Sequence, residues 1–240
     1  MQIIQSKLLK QFVGITHGFT TKKNGNLAFH VGDNKESVIK NHQQLSKLMG
    51  YNIDSLVHMK QIHSTIVKRV DKGVCFNNPL TCDALITNLK ATPLMVMVAD
   101  CSPILFYDSK REIIAVAHAG RAGAFSNIIS KVIKSFEDDF SSKRQDIIVT
   151  VGSSILECCY EVGQEIYEEA KDLNLEYSLS RREGSYYLNI SKILLKQLLN
   201  AGIQQKNIEI SQNCSCCSTE LFSYRREDIT GRFAGVIVLN

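Results

Sequence analysis

The stretch from Met95 to Gly123, MVMVADCSPILFYDSKREIIAVAHAGRAG, constrains the fold more than any other part of this chain. It reads as a strand over residues 94–99, a polar interruption at Asp100 and Cys101, and a second apolar strand over 104–107. A polar turn over 108–111 leads to a third strand over 113–117 that ends at His118. Runs rich in Val and Ile, bounded by turn residues and without polar alternation, predict strands buried on both faces.

The spacing within this stretch brings two reactive side chains together. If Ser109-Lys110 is a two-residue hairpin loop, antiparallel partners carry numbers summing to 219 (109 + 110), and Cys101 and His118 meet that sum. Directly opposed residues lie roughly 4.5–5.5 Å apart at Cβ, so a thiol and an imidazole are expected to meet at the open end of the hairpin. The pairing depends on register, because a slip of one residue sends the two side chains to opposite faces. Asp100 adds a carboxylate beside them, and Ala119-Gly120 with Gly123 forms an exit where backbone can approach a ligand. His63, in the polar turn 60–64 between strand-like segments, is the best third partner. Three nitrogen and sulfur donors with one open position is the catalytic zinc arrangement. The competing reading is a packed core pair, since free cysteine is commonly buried. His17, His30, His42 and His58 lack such context and read as structural or surface residues.

The chain has 240 residues, 44% of them hydrophobic, and its three prolines and 14 glycines form no linker, so one domain over 1–240 is expected. Net charge is +4 with both signs mixed, and the basic residues make no stripe with interleaved aromatics, which argues against nucleic acid as a partner. No apolar run approaches the ~18 residues of a membrane span, and MQIIQSKLLKQF is too polar for a secretion signal. Eight cysteines in that setting predict reduced thiols in the cytoplasm.

Helices are expected over 34–49, stopped by Gly50, and over 127–140, 162–173 and 190–201. Short strands are expected around Ile3-Ile4 and over 15–20, 56–58, 65–70, 83–87, 146–152, 208–211 and 232–239. Strands outnumber helices and do not alternate regularly with them, which favours an α+β fold with mixed or antiparallel sheets over a doubly wound one.

Two further clusters stand out. Cys214-x-x-Cys217 has knuckle spacing, but its would-be partners Cys158 and Cys159 are adjacent and lack the usual bite, which argues against a second zinc site. Arg225-Arg226, within Phe222-Ser223-Tyr224-Arg225-Arg226, suits an anion clamp, because guanidinium forks match phosphate oxygens. A solvated turn with an ion pair to Glu227 or Asp228 accounts for it equally well.

Together these residues resemble the bacterial YfiH family, related to the human laccase-domain protein and variously described as polyphenol oxidase, purine nucleoside phosphorylase or peptidoglycan editing factor. The resemblance spans nearly the whole chain. It is carried by His17-Gly18-Phe19-Thr20-Thr21, Gly32-Asp33 and Asn41, Gln61-Ile62-His63, Asp83-Ala84-Leu85-Ile86-Thr87, Ala99-Asp100-Cys101-x-Pro103 and His118-Ala119-Gly120. It continues through Cys158-Cys159-Tyr160-Glu161-Val162-Gly163, Phe222 to Arg226, and Thr230-Gly231-Arg232. The resemblance implies a zinc (copper in the alternative) on His63, Cys101 and His118. It implies a fold like that of cytotoxic necrotizing factor, with mixed sheets packed between helices. It also implies phosphorolysis of adenosine, inosine and methylthioadenosine, with adenosine deamination as a side activity.

The chain departs from the family pattern around the anion. The usual His-Ala-Gly-Trp-Arg-Gly is His118-Ala119-Gly120-Arg121-Ala122-Gly123 here, and the chain has no Trp. Lys22 stands where Thr-Thr-Arg normally ends, and Gly152-Ser153 replaces Gly-Pro. The phosphate is therefore expected on Lys22, Arg121 and Arg226, with Asp100 near the base. Deamination would attack C6 of adenine as in zinc deaminases, but their glutamate has no obvious counterpart. Other classes are a hydrolase editing peptidoglycan precursors, with Cys101 as nucleophile and His118 as base, a copper phenol oxidase, and a non-catalytic binding protein. The oxidase is disfavoured, because blue multicopper chemistry needs more histidines than the six present.

Overall fold

The computed structural model describes residues 3–240. Strands Ser102–Asp108 and Ile113–Ala119 form the expected hairpin, and every residue of both is buried. They lie in the middle of a six-stranded sheet ordered Ile208–Ile210, Ile147–Val151, Ser102–Asp108, Ile113–Ala119, Ala84–Thr87, Val67–Arg69. The outermost strand on each side runs parallel to its neighbour, and the inner pairs are antiparallel. A smaller antiparallel sheet sets the C-terminal strand Phe233–Leu239 between Ile15–Phe19 and Leu94–Val98.

Alternation along the hairpin explains why its strands carry no polar face. Ile104, Phe106, Ala115 and Ala117 point to one side, where they pack on helices Ile128–Phe140 and Ile190–Asn200. Leu105, Tyr107, Ile114 and Val116 point to the other, against Phe19, Val96, Val98 and Phe233 of the smaller sheet. The far side of that sheet, through Met95, Met97 and Val236, is covered by Leu45 and Met49 of helix Lys35–Met49. The layers therefore run helix, sheet, sheet, helix. This is the expected α+β class, and apolar residues on both faces of the inner strands are what it requires.

Local signals set the helix ends. Asn34 caps Lys35–Met49 by accepting hydrogen bonds from the backbone N–H groups of Glu36 and Ser37, and Gly50 ends it at φ 75°. Helix Gln164–Asp172 starts later than the sequence pattern indicates, because Glu161–Val162 is a strand on Ser185–Leu188. The hairpin Leu179–Arg182 with Ser185–Leu188 was not expected. Its strands are mostly half-exposed, and its only strong signal is the two-residue loop Glu183-Gly184 at φ 50° and 87°.

The central hairpin is in a different register from the expected one. Its loop has four residues, 109–112, because Asp108 accepts from the backbone N–H groups of Lys110 and Arg111 at 2.9 and 3.1 Å, and Glu112 takes φ 53°. Partners now sum to 221 (for example 103 + 118), so His118 opposes Pro103 rather than Cys101. The shift is two residues, an even number, so Cys101 and His118 stay on the same face.

His42 and His58 are buried in an aromatic cluster with Phe76, which the exposed Phe29 covers from outside. Their Nε2 atoms face the carbonyls of Leu27 and Phe76. Burial lowers the His42 pKa to about 4, with His58 adding to the effect against the raising influence of the Leu27 carbonyl. Between the ordinary histidine value and 4 the unfolded chain binds the proton and the folded chain does not, so stability falls as pH is lowered through that window. The expected loss attributable to His42 between pH 7 and pH 4.5 is roughly 2 kcal/mol. Urea unfolding at pH 7 and pH 4.5 of the wild type and of His42→Phe measures it, and the variant should show the smaller difference.

Candidate metal and nucleoside site

The open end of the hairpin is held to a neighbouring loop by one carboxylate. Asp83, fully buried at the start of strand Ala84–Thr87, accepts hydrogen bonds from the backbone N–H groups of Ile62 (3.3 Å), His63 (3.1 Å) and Ser64 (2.7 Å) and from the Ser64 hydroxyl (2.7 Å). It also bonds His118 Nδ1 at 2.9 Å, so Nδ1 carries the proton and Nε2 is turned toward Cys101. Gln61 clamps the same loop from the other end, donating to the Met97 carbonyl at 2.8 Å and accepting from the Met97 N–H at 2.9 Å. Held at both ends, His63 takes the left-handed value φ 58° and brings its ring within 4.8 Å of the His118 ring.

Cys101 reaches the same point from just before strand Ser102–Asp108. Gly120 lets it do so: a Cβ at that position would lie 2.8 Å from Cys101 Sγ and 3.3 Å from His63 Cδ2. One donor atom each from His63, Cys101 and His118 lies within 4.8 Å of the others. Two imidazoles and a thiolate, one imidazole oriented by a carboxylate, fit zinc or copper in donor type and in outer support.

The charges agree with that fit. Burial opposes ionisation of Cys101, but the adjacent His118 and His63 draw its thiol down to about 6. Burial would lower His118, but Cys101 and Asp83 raise it to about 9. Asp83 would be raised by burial, yet the bonds from His118 and Ser64 hold it at about 2. The site thus favours a thiolate beside positive charge, whether a proton or a metal supplies it.

His63, Cys101 and His118 line a cavity of about 760 Å³, within the range that encloses small-molecule ligands. Of the cations assigned from the sequence, only Arg121 lines it, paired with Glu169 and set over the Phe125 ring. Lys22 is turned away, bound to Glu227 at 2.6 Å and above the Phe222 ring. The Arg226 guanidinium donates to the carbonyls of Ser215, Cys216, Ser218 and Leu221, which leaves it tying a loop rather than facing the cavity. Asp100 lines the cavity, but its carboxylate accepts from the Ser215 hydroxyl at 2.6 Å and the Arg225 N–H at 2.7 Å.

Asp83 and Arg232 were named from the sequence only within the family motifs, and Arg225 only as half of the candidate anion clamp with Arg226. For Asp83, a lone carboxylate opening an otherwise apolar strand was the available signal of a supporting role. Arg225 and Arg232 both line the cavity. Arg225 donates to the carbonyls of Cys159 and Glu161, and Arg232 to those of Thr230 and Gly231. In the arginine doublet, chain order alone does not say which guanidinium faces the ligand.

A family model described as multi-copper polyphenol oxidoreductase laccase matches residues 12–240. The chain belongs to this laccase-like YfiH family. Among curated relatives, it is 35% identical to a purine nucleoside phosphorylase of Corynebacterium glutamicum over 92% of this chain and 93% of that one. A purine nucleoside phosphorylase of Haemophilus influenzae is 32% identical over 92% and 93%. Among solved structures, YfiH of Bacillus licheniformis superposes with a TM-score of 0.90 at 28% identity, covering 97% of this chain and 94% of that one. YlmD of Geobacillus stearothermophilus gives 0.87 at 27% identity, covering 95% and 93%. Among the described residues, no helix of this YfiH-family chain is long and apolar enough to cross a membrane.

Proposed function

We propose that this protein is a zinc-dependent purine nucleoside phosphorylase of the cytoplasm, one catalytic unit over 1–240, acting on adenosine, inosine and methylthioadenosine with adenosine deamination as a minor reaction. The observation that carries the reading is a single cavity with the His63–Cys101–His118 donor set at one place and Arg121, Arg225 and Arg232 around it. In the reaction a phosphate oxygen bonds to C1′ of the ribose as the bond from C1′ to the purine nitrogen breaks. The bonding pair leaves with the purine, which takes up a proton.

A zinc ion on His63, Cys101 and His118 would supply a Lewis acid at the site. Asp83 holds His118 in the tautomer that keeps Nε2 available and holds the loop that presents His63. Arg121 binds the phosphate dianion, with Arg225 and Arg232 adding positive charge. Asp100 fixes the Arg225 backbone and thereby the wall of the cavity. Met59, Met97, Ile155 and Tyr160 offer the apolar surface for the purine. Incubation of metal-assayed protein with adenosine is expected to yield adenine and ribose 1-phosphate only when phosphate is present. Inosine and ammonia at an unchanged rate without phosphate would make deamination the main reaction.

One observation favours a second reading. Cys101, His118 and Asp83 are also arranged as a thiol nucleophile, its base and an orienting carboxylate, as a hydrolase editing peptidoglycan precursors would use them. Activity surviving complete metal removal would select it. Copper in place of zinc at full occupancy would select the oxidase, and ligand retention without turnover a binding protein.

A further inference from the structure

The two cysteine pairs whose spacing argued against a metal meet in space. The turn holding Cys158 and Cys159 is tightened by the N–H groups of Cys159 and Tyr160, both donating to the Leu156 carbonyl at 3.0 Å. The segment carrying Cys214 and Cys217 runs alongside it, joined by the parallel bridge Ser154–Cys214 and by the Ser215 N–H donating to the Ser154 carbonyl. Cys217 Sγ lies 3.6 Å from Cys158 Sγ and 3.3 Å from Cys159 Sγ. All four sulfurs lie within 4.8 Å of one another. Four thiolates about 2.3 Å from a tetrahedral zinc are separated by about 3.8 Å, so the cluster needs only small side-chain adjustments to close around an ion.

The backbone around Cys214 points the same way. The Leu156 N–H donates to Cys214 Sγ at 3.5 Å. That donor occupies one side of the sulfur. Positive charge surrounds the cluster as well: Arg225 binds the Cys159 carbonyl, and Arg226 binds those of Ser215 and Cys216. The cysteines are all free thiols.

We propose that Cys158, Cys159, Cys214 and Cys217 hold a structural zinc ion, a second metal centre distinct from the His63–Cys101–His118 site. Binding replaces thiol protons, which pass to solvent, and involves no change of oxidation state. The ion staples the turn around Cys159 to the loop around Cys216. That junction carries Tyr160 and Arg225 of the cavity wall, and Ser215 from the same loop holds Asp100. The centre therefore fixes a wall of the nucleoside cavity without touching substrate.

The test is metal stoichiometry on the full chain purified in zinc-containing medium under reducing conditions. About two zinc ions per wild-type chain are expected, about one in His118→Ala, about one in the Cys158→Ser/Cys217→Ser variant, and none when these are combined. Should the serine variant fail to fold, cobalt(II) added to metal-free His118→Ala/Cys101→Ala protein reads the same site. Intense thiolate-to-cobalt absorption with tetrahedral bands is expected there, since only the four-cysteine cluster remains. A wild-type content of about one ion that disappears in His118→Ala, with no cobalt spectrum in the double variant, would overturn the assignment. So would a disulfide between the two loops in the freshly purified protein. These readouts do not involve phosphorolysis, so a failure of the proposed activity leaves the result interpretable.

Discussion

Replacing Asp83 by alanine is expected to lower stability by about 3–5 kcal/mol, the range for breaking a buried charge network by removing one partner, and to empty the His63–Cys101–His118 site. The carboxylate is fully buried and is the common acceptor for Ile62, His63, Ser64 and His118. Without it those backbone N–H groups are left without their acceptor, His63 loses the support for its positive φ, and His118 loses the partner that fixes its tautomer. Asp83→Asn separates the two roles. It keeps the shape, but its amide turns a donor toward N–H groups that need an acceptor, so a metal affinity roughly 10–100-fold weaker is expected with a smaller stability loss. Chemical denaturation and metal titration of both variants measure the two effects. Wild-type zinc content in Asp83→Ala would show that the loop and His118 are positioned without it.

The layer order and the site were legible to different degrees, and the difference has a physical cause. Strand polarity patterns are read by parity, and parity survived an error in loop length: a four-residue turn instead of a two-residue one shifted the register by two and left Cys101 and His118 on one face. Helix caps and glycine stops are local, so Asn34 and Gly50 marked their helix correctly. Charged side chains on loops obey neither rule. Lys22, Arg225 and Arg226 are distinguished only by which carbonyls and carboxylates the fold brings near them, and those partners are distant in sequence for Lys22 and Arg225. The convergence of the cysteine pairs was hidden for the same reason. Their spacing was judged along the chain, whereas the four sulfurs converge from two loops nearly sixty residues apart.

Arg121→Ala is expected to raise the phosphate KM about ten- to hundredfold, equivalent to roughly 1.5–3 kcal/mol for a charge-assisted contact, with the zinc content unchanged. The residue follows Gly120 directly, opens the helix Arg121–Phe125 and lines the cavity. Its present partner, Glu169, is partly exposed, and pairs of that kind are worth only ~0–1 kcal/mol. A phosphate dianion entering the cavity offers more charge and a bidentate geometry, so it should displace Glu169 rather than share the guanidinium with it. Glu169→Gln therefore serves as the opposite control: freeing Arg121 should lower the phosphate KM by a few-fold. Ala122→Arg, which restores the family's arginine one position later, should add little while Arg121 is present. Steady-state kinetics with phosphate as the varied substrate separates the cases. If Arg121→Ala is silent and Ala122→Arg raises activity, Arg121 is only the surface partner of Glu169. Phosphate would then rest on Arg225 and Arg232, which the fold holds against the same cavity from the opposite end of the chain.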